Sequence, residues 1–373
     1  MKKALILGTN AGQADIINYL NENGWETHAC GYRKEGPGCE LAHYFHLVNT
    51  IDLEAVKQLA QKLNVDIVYS VSSDSAITSA TKVSESLGLP HLLNGKYIDL
   101  FNSKNAFREF LNENSIGATK FIVVDDKTIS NVIWDDFPCV VKPTDSQGQR
   151  GVQLINSKEE LFEALKLAIE SSNSNEAIIE EYLDGNEFST NVVVQDGKIV
   201  LNEFSDRIVF GNEYFGLPKG HGLPISYINE GQLDIANSYV NKIVEKLEIK
   251  NAVLYIQMKL KGDEPRVIEI APRLDGCHIW RLIKHYRGVD LREYAIKCLL
   301  GEKIDTSKYN SAPNVKRSVL EFYHLPTQEL FNLDKLEVKN NSSYTEYRYS
   351  NGDSIVPING RLEVVGYSIY DEN

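Results

Sequence analysis

The sequence predicts a mixed α/β and α+β protein, and three observations lead there. From the N-terminus to residues 90–95, short apolar strands alternate with amphipathic helices, the pattern of βαβ units around a parallel sheet. From about residue 118 the pattern changes to closely spaced strands with few helices. At 373 residues the chain has material for roughly two to three domains of ~150 residues each.

The elements follow in order. Ala4–Leu7 reads as a short apolar strand, Gly12–Asn23 as a helix closed by Gly24, and Trp25–Gly31 as a second strand. Asp52–Leu63 carries Leu53, Val56, Leu59, Ala60 and Leu63 at helical spacing. Val65–Val71 is a strand of the buried type, and Asp74–Leu87 is a helix stopped by Gly88 and Pro90. These form a first lobe, 1–95. A linking helix at Ser103–Asn114, within 96–117, presents Phe107, Phe110 and Leu111 on one face. The next lobe, 118–185, holds strands at Phe121–Val124, Pro138–Lys142, Val152–Ile155 and Ala177–Glu180. Its helix, Lys158–Ile169, is expected to open with a capping box of Ser157 and Glu160. A larger lobe, 186–310, has strands at Phe188–Val194, Lys198–Asn202 and Arg207–Phe210 and a long helix, Gly231–Leu247. In it Val253–Leu260 and Arg266–Ile270 form a hairpin around Lys261-Gly262-Asp263-Glu264. The remainder, 311–373, alternates weakly at Tyr344–Tyr349 and Arg361–Tyr367 and reads as a small β appendage.

Composition narrows the function. Lys and Arg number 39 against 52 Asp and Glu, a net charge of −13. That balance argues against nucleic acid and anionic membrane surfaces, both of which call for a basic face. At 42% hydrophobic and 24% charged residues the chain is ordinary globular material. No segment approaches the ~20 apolar residues of a membrane span. Met1–Gly8 superficially suggests a leader peptide, but its apolar run, Ala4 to Leu7, is that of a first strand. The five widely spread cysteines suit reduced thiols in a cytoplasm. Cys30, Cys39, His43 and His46 lack tight Cys-x-x-Cys spacing, so coincidence is favoured over a zinc site.

Some motifs fail. Gly8-Thr9-Asn10-Ala11-Gly12 follows a strand, but the G-x-G-x-x-G spacing and an acidic residue after the second strand are both missing. Its glycines serve a tight strand-to-helix turn instead. Neither a G-x-x-x-x-G-K-[ST] phosphate loop nor a G-x-S-x-G elbow occurs.

Three segments carry chemistry. In Phe137–Val152 a lysine, Lys142, closes a buried strand and a loop with Ser146, Gln147 and Gly148 returns into the next. Such a loop lets backbone N–H groups approach phosphate oxygens while the lysine adds a point charge. A plain hairpin with a solvated lysine is the alternative. Ile178–Glu187 runs an apolar strand into Glu180, Glu181 and a glycine-bearing turn, which a simple domain hinge would also explain. Val267–Arg273 places Glu269 among apolar strand residues, costly unless paired or bound to a metal. Gln257, across the hairpin, is positioned to add an oxygen.

Taken in order, these segments resemble the ATP-grasp superfamily, in its carboxylate–amine ligase and carbamoyl-phosphate-synthase-like branch, over nearly the whole chain. The resemblance implies an N-terminal Rossmann-like lobe, a small lid lobe, a larger C-terminal ATP-grasp lobe and a β tail. It also implies roles. Lys104, in Asn102-Ser103-Lys104, matches the first ATP lysine and Lys142 the second. Ser146, Gln147 and Gly148 match the loop over the γ-phosphate. Glu180, Glu181 and Leu183 match the adenine hinge, and Glu187 the ribose acid. Glu269 aligns with the bridging magnesium (or manganese) ligand, Gln257 with the first metal ligand, and Arg273 with the arginine of the phosphoryl-transfer transition state. His221 lies where some relatives place a nucleotide-facing residue. Two departures weaken one metal site: Gln257 stands for the usual acid, and Ala271 for the usual Asn two residues after the bridging Glu.

The implied reaction activates a carboxylate with ATP as an acyl phosphate, which an amine then converts to an amide. Substrate contacts are expected from Asp275 and His278 after the arginine, and from Ser73 and Asp74 at a strand's carboxyl end. Asp275 and His278 can equally just shape their turn, and for Asp74 capping of the following helix is the favoured alternative. Cys277 has no basic partner beyond His278 and is rejected as a nucleophile. The expected partners are a small carboxylate and an amine, with a homodimer as an allowed assembly. The rival readings are carbamoyl- or carboxyphosphate chemistry, and a non-catalytic nucleotide-binding protein with a degenerate metal site.

Overall fold

The computed structural model describes residues 1–372 apart from 146–150, 212–213, 215, 314 and 357–361. Three sheets organise it. The first has four parallel strands in the spatial order Tyr44–Leu47, Glu26–Gly31, Lys3–Leu7, Ile67–Tyr69. Leu5, Ile6, Leu7 and Ile67 are fully buried, as crossover helices on both faces of a parallel sheet require. Those helices are Ala11–Glu22, Leu53–Leu63 and Asp74–Leu87. Asn10 accepts from the N–H groups of Gly12 and Gln13, and the Gln13 side chain accepts from the Asn10 N–H. The turn that could pass for a nucleotide fingerprint is therefore a helix cap, with Gly8 in the left-handed region at φ +104°. The edge strand Tyr44–Leu47 had no sequence signal, because Tyr44 and Leu47 at its ends are exposed and Phe45 and His46 between them only half-buried, with no alternation.

The second sheet is antiparallel, in the order Phe121–Asp125, Glu176–Glu181, Cys139–Pro143, Gln153–Ile155. Helix Lys158–Glu170 packs on it. Together they enclose a core of their own, with Trp134, Val141, Leu165 and Ile179 at its centre. The expected capping box does not form. The Ser157 side chain makes no hydrogen bond to the helix start, and Glu160 instead accepts from the Asn156 N–H at 3.0 Å.

The third sheet has eight antiparallel strands: Glu264–Ala271, Ala252–Lys261, Glu187–Gln195, Lys198–Val209, Pro218–Leu223, Ser318–Pro326, Leu362–Asp371 and Ser342–Tyr347. Two expected strands, 198–202 and 207–210, are one bulged strand. Glu203 and Asp206, which read as an interruption, are buried and paired, Glu203 with Arg287 at 2.8 Å and Asp206 with Arg317 at 3.0 Å. Residues 311–373 do not stand apart as an appendage in space: their three strands extend this same sheet beyond Pro218–Leu223. Two helices absent from the sequence reading, Ile279–Arg287 and Leu291–Leu300, cover it. The first and third sheets share one continuous apolar core. Among the described residues no helix is long and apolar enough to cross a membrane.

Strand Pro218–Leu223 is poor β material, with Gly220 and Gly222 flanking His221. Its neighbour explains Gly220: a Cβ there would overlap the Leu320 carbonyl oxygen across the sheet. Gly220→Ala is expected to cost about 1–3 kcal/mol, read as a lowered midpoint in urea. An unchanged midpoint would show that the two strands can part freely.

Candidate active-site cleft

A cleft lies between the small antiparallel sheet and the eight-stranded one, walled by the helix Lys104–Glu113. Ser103 caps that helix, its hydroxyl accepting from the Ala106 N–H at 3.3 Å. The Lys104 N–H donates to the Thr144 carbonyl at 3.1 Å, tying the helix start to the end of strand Cys139–Pro143. Lys104 therefore opens into the cleft beside Lys142. Burial, and then the neighbouring Lys142 charge, bring its pKa down to about 8.

Lys142 is held by Glu180, Nζ to Oε2 at 2.6 Å, and the other Glu180 oxygen accepts from Arg108 Nε at 2.8 Å. Burial alone would raise the Glu180 pKa, but the two cations outweigh it and hold it at about 2. Arg108 comes one helical turn after Lys104 and also donates to the Val267 carbonyl at 3.2 Å. Glu180 is expected at the adenine hinge largely through its backbone groups, while its side chain is committed to this triad. Glu181 and Leu183 also line the cleft. The Glu181 N–H, however, donates to the Lys120 carbonyl at 3.0 Å.

Glu187 lines the cleft too and is gripped by three donors: Arg207 Nε at 3.1 Å, Gln257 Nε2 at 3.0 Å and Lys259 Nζ at 3.3 Å. Arg108, Arg207 and Lys259 escaped the sequence reading. Lys259 faces Glu187 only through the strand register, and no local motif marks it. The register also sets Gln257 directly opposite Glu269. Glu269 is open to the cleft solvent yet surrounded by protein, and it makes no hydrogen bond or ion pair among the described residues. Enclosure and the nearby Asp74 charge raise its pKa. An accessible, unpaired carboxylate beside an amide oxygen suits a hard divalent cation such as Mg2+.

At the cleft's inner end Arg273 is clamped by Asp74, with Nε and Nη2 at 2.7 and 2.6 Å from Oδ1, and its Nη1 donates to the Leu274 carbonyl at 3.1 Å. Asp74 sits in the first turn of helix Asp74–Leu87, at the carboxyl end of the parallel sheet.

A family model described as an ATP-grasp domain matches residues 135–280. Residues 135–280 are an ATP-grasp domain. The chain is 27% identical over 221 residues to the carbamoyl phosphate synthase large chain of Caldanaerobacter subterraneus subsp. tengcongensis, covering 57% of this chain and 20% of that one. The chain thus spans about a fifth of the length of that large chain. Among solved structures, the L-amino acid ligase from Bacillus licheniformis superimposes with a TM-score of 0.80 at 17% identity, over 99% of this chain and 93% of that one. The N5-carboxyaminoimidazole synthetase from Staphylococcus aureus, complexed with ADP, gives a TM-score of 0.77 at 18% identity, over 100% and 93%. These likenesses establish the ATP-grasp fold.

The ATP-grasp cleft thus gathers Lys104, Lys142, Glu180, Glu181, Leu183, Glu187, Gln257, Glu269 and Asp74. Ser146, Gln147 and Gly148 lie outside the described residues. Other expected residues are used differently. It is the Ser73 hydroxyl, not Asp74, that caps the helix, accepting from the Ala76 N–H at 3.3 Å. Asp275 shapes its turn by accepting at Oδ1 from the N–H groups of Cys277 (2.7 Å) and Ile279 (3.2 Å). His278 is buried, with Nδ1 2.7 Å from Asp15 and its ring stacked on Tyr367 at 4.6 Å. His221 is fully buried, away from the cleft lining. Ala271 is buried at a strand end and adds no ligand. Burial pushes the Cys277 thiol up to about 11, which disfavours the nucleophilic thiolate. Cys39, His43 and His46 find separate partners and Cys30 is buried in the core, and among the described residues no group of three His, Cys, Asp or Glu could hold a metal.

Two outcomes follow from the charges. Glu180→Gln strands two buried cations and should cost about 3–5 kcal/mol at neutral pH. Because the folded Glu180 pKa is depressed, to about 2, its contribution exists above the unfolded carboxylate range near 4.3 and fades as pH falls toward 2. The stability gap between wild type and variant should close across that window in urea titrations at stepped pH. Lys104 acts in the opposite range. With a free-protein pKa of about 8 and phosphates nearby to raise it, ATP binding should take up a proton and weaken from pH 7 to 9. Calorimetry in two buffers of different ionisation enthalpy reads that uptake, and a binding constant flat with pH would contradict it.

Proposed function

We propose that this protein is an ATP-dependent carboxylate–amine ligase. The observation that carries the reading is the convergence of Lys104, Lys142, Glu269 and Gln257 on one cleft that ends at the Arg273–Asp74 pair. A carboxylate oxygen attacks the γ-phosphorus of ATP, the bond to the ADP oxygen breaks, and an acyl phosphate forms. An amine nitrogen then attacks the acyl carbon, phosphate leaves, and an amide results. Lys104 and Lys142 offset phosphate charge, and Arg273 meets charge that develops on the transferring group. Glu269 and Gln257 would hold magnesium, which when bound neutralises phosphate oxygens. Leu183 and Glu181 border the adenine end and Glu187 the ribose. Water has to be kept from the acyl phosphate, which it would otherwise hydrolyse.

The ligase works on small-molecule acids and amines, and the five free thiols suit a reducing cytoplasm. Its fold neighbours include proteins named L-amino acid ligase and N5-carboxyaminoimidazole ribonucleotide synthetase, so amide formation is one use of this scaffold.

The test is ADP and phosphate release from MgATP across pairwise mixtures of acids and amines, with mass spectrometry of the positives. Lys142→Ala and Glu269→Ala should abolish release, and Arg273→Ala should lower kcat more than ATP affinity. Nucleotide binding without turnover in any mixture would instead favour a binding protein whose Gln257 and Ala271 mark lost catalysis.

A further inference from the structure

Among the described residues three lysines line the nucleotide cleft, Lys104, Lys142 and Lys259. Two of them are buried and pinned. Lys142 is 8% exposed, with Nζ 2.6 Å from Glu180 Oε2. Lys259 is equally buried, with Nζ 3.3 Å from Glu187 Oε1 and over the Tyr182 ring at 5.4 Å. A carboxylate at such range favours the ammonium form, which has no lone pair to attack with. Lys104 is placed differently. It is only half-buried, in the first turn of the wall helix, and its backbone N–H ties that turn to the Thr144 carbonyl. A flexible side chain on a fixed backbone thus faces the cleft.

The charged groups around Lys104 come from four places. Lys142 acts on it from strand Cys139–Pro143, Glu180 from the neighbouring strand, Glu269 from the large sheet and Asp145 from just beyond Pro143. Burial and then the Lys142 charge outweigh the three carboxylates and bring the pKa to about 8. A desolvated lysine beside a second cation is the arrangement that makes an amine nucleophilic near neutral pH, where an ordinary lysine, at ~10.4, is almost wholly protonated. The same two lysines attract a phosphoryl group. The cleft therefore keeps an amine beside a place for phosphate. An acyl phosphate is the electrophile that suits both, because its phosphate is held by charge and its acyl carbon lies one oxygen away from phosphorus.

We propose that Lys104 is an acylation site, modified by small acyl phosphates that lodge in the cleft. The Lys104 nitrogen attacks the acyl carbon, the bond from that carbon to the phosphate oxygen breaks, inorganic phosphate leaves and the amine gives up a proton. The product is an Nζ-acyl lysine, an uncharged amide. It removes one of the two cations assigned to phosphate and adds bulk where phosphates would lie, so the modification shuts off nucleotide binding. This goes beyond the ligase reading, since the step uses neither ATP nor an amine substrate. In a working ligase it is the fate of acyl phosphate that forms with no amine at hand.

The experiment incubates the full chain with acetyl phosphate at pH 8, without nucleotide, and follows each lysine by peptide mass spectrometry. Lys104 should gain its acetyl group roughly ten-fold or more faster than an exposed lysine such as Lys250. Its rate should saturate with acetyl phosphate, and inorganic phosphate or MgADP should slow it without touching Lys250. Lys104→Arg keeps the charge and removes the nucleophile, so the fast phase should vanish while slow labelling elsewhere continues. The acetylated protein should bind MgADP at least roughly ten-fold more weakly than untreated protein. Labelling of Lys104 at the rate of Lys250, a rate indifferent to phosphate, a fast phase that persists in Lys104→Arg, or undiminished MgADP binding overturns the assignment. The probe arrives as a ready-made acyl phosphate, so the result does not depend on turnover. Fast labelling of Lys104 in a protein for which no acid drives ADP release keeps this site and removes the ligase reading. Acid-driven ADP release without fast labelling removes this site alone.

Discussion

The buried carboxylate of Glu180 is the interaction on which the cleft's architecture depends. Two cations from different parts of the chain share it: Lys142 from the neighbouring strand and Arg108 from the wall helix. Arg108 reaches on to a backbone carbonyl of the eight-stranded sheet. One side chain thereby fixes the small sheet, the helix and the large sheet relative to each other. It also keeps Lys142 from being an isolated buried charge, which would otherwise shed its proton. A lysine meant to meet phosphate in a nearly dry site needs such a counter-ion in the wings. Burial still lowers the pKa of both Lys142 and Lys104, the latter to about 8.

At the other end the Arg273–Asp74 pair plays the matching part between the N-terminal lobe and the large sheet. The contact is reinforced by backbone: the Ser72 N–H donates to the Leu274 carbonyl and the Ser72 hydroxyl to the Asp275 carbonyl. Within the lobe, close packing fixes Ser72 itself, since a Cβ on Gly12 would overlap it. Because Asp74 already holds two guanidinium nitrogens, the position of Arg273 is set before any nucleotide arrives. Such pre-positioning lets a cation meet developing charge without reorganising.

How much of this was legible in the sequence divides by distance along the chain. Lys104, Lys142, Glu180 and Glu269 stand in short ordered motifs, so their convergence could be expected from local pattern and resemblance. Arg108, Arg207 and Lys259 could not, because their partners are set by strand register and helix phase. Glu180 and Glu187 stand in the motifs and line the cleft, but the protein cations that hold their side chains are announced by no neighbouring residue. The same limit explains the single strand Lys198–Val209: Glu203 and Asp206 look like loop residues until Arg287 and Arg317, far along the chain, neutralise them. Strand Pro218–Leu223 was hidden for another reason, since its glycines serve a neighbour's backbone and carry no β signal of their own.

The order of strands in the large sheet has a consequence for how the protein is made. Pro218–Leu223 is bordered by Ser318–Pro326, a strand synthesised about a hundred residues later. The outermost strand, Ser342–Tyr347, can dock only on Leu362–Asp371, which is synthesised after it. During translation the growing sheet therefore presents an open hydrogen-bonding edge for a long interval, the kind of edge that recruits other chains. His221 and its glycines sit on that edge strand. A nascent chain released before residues 362–371 emerge would be a sticky, half-closed sheet, so sealing of the fold is timed to the arrival of that strand.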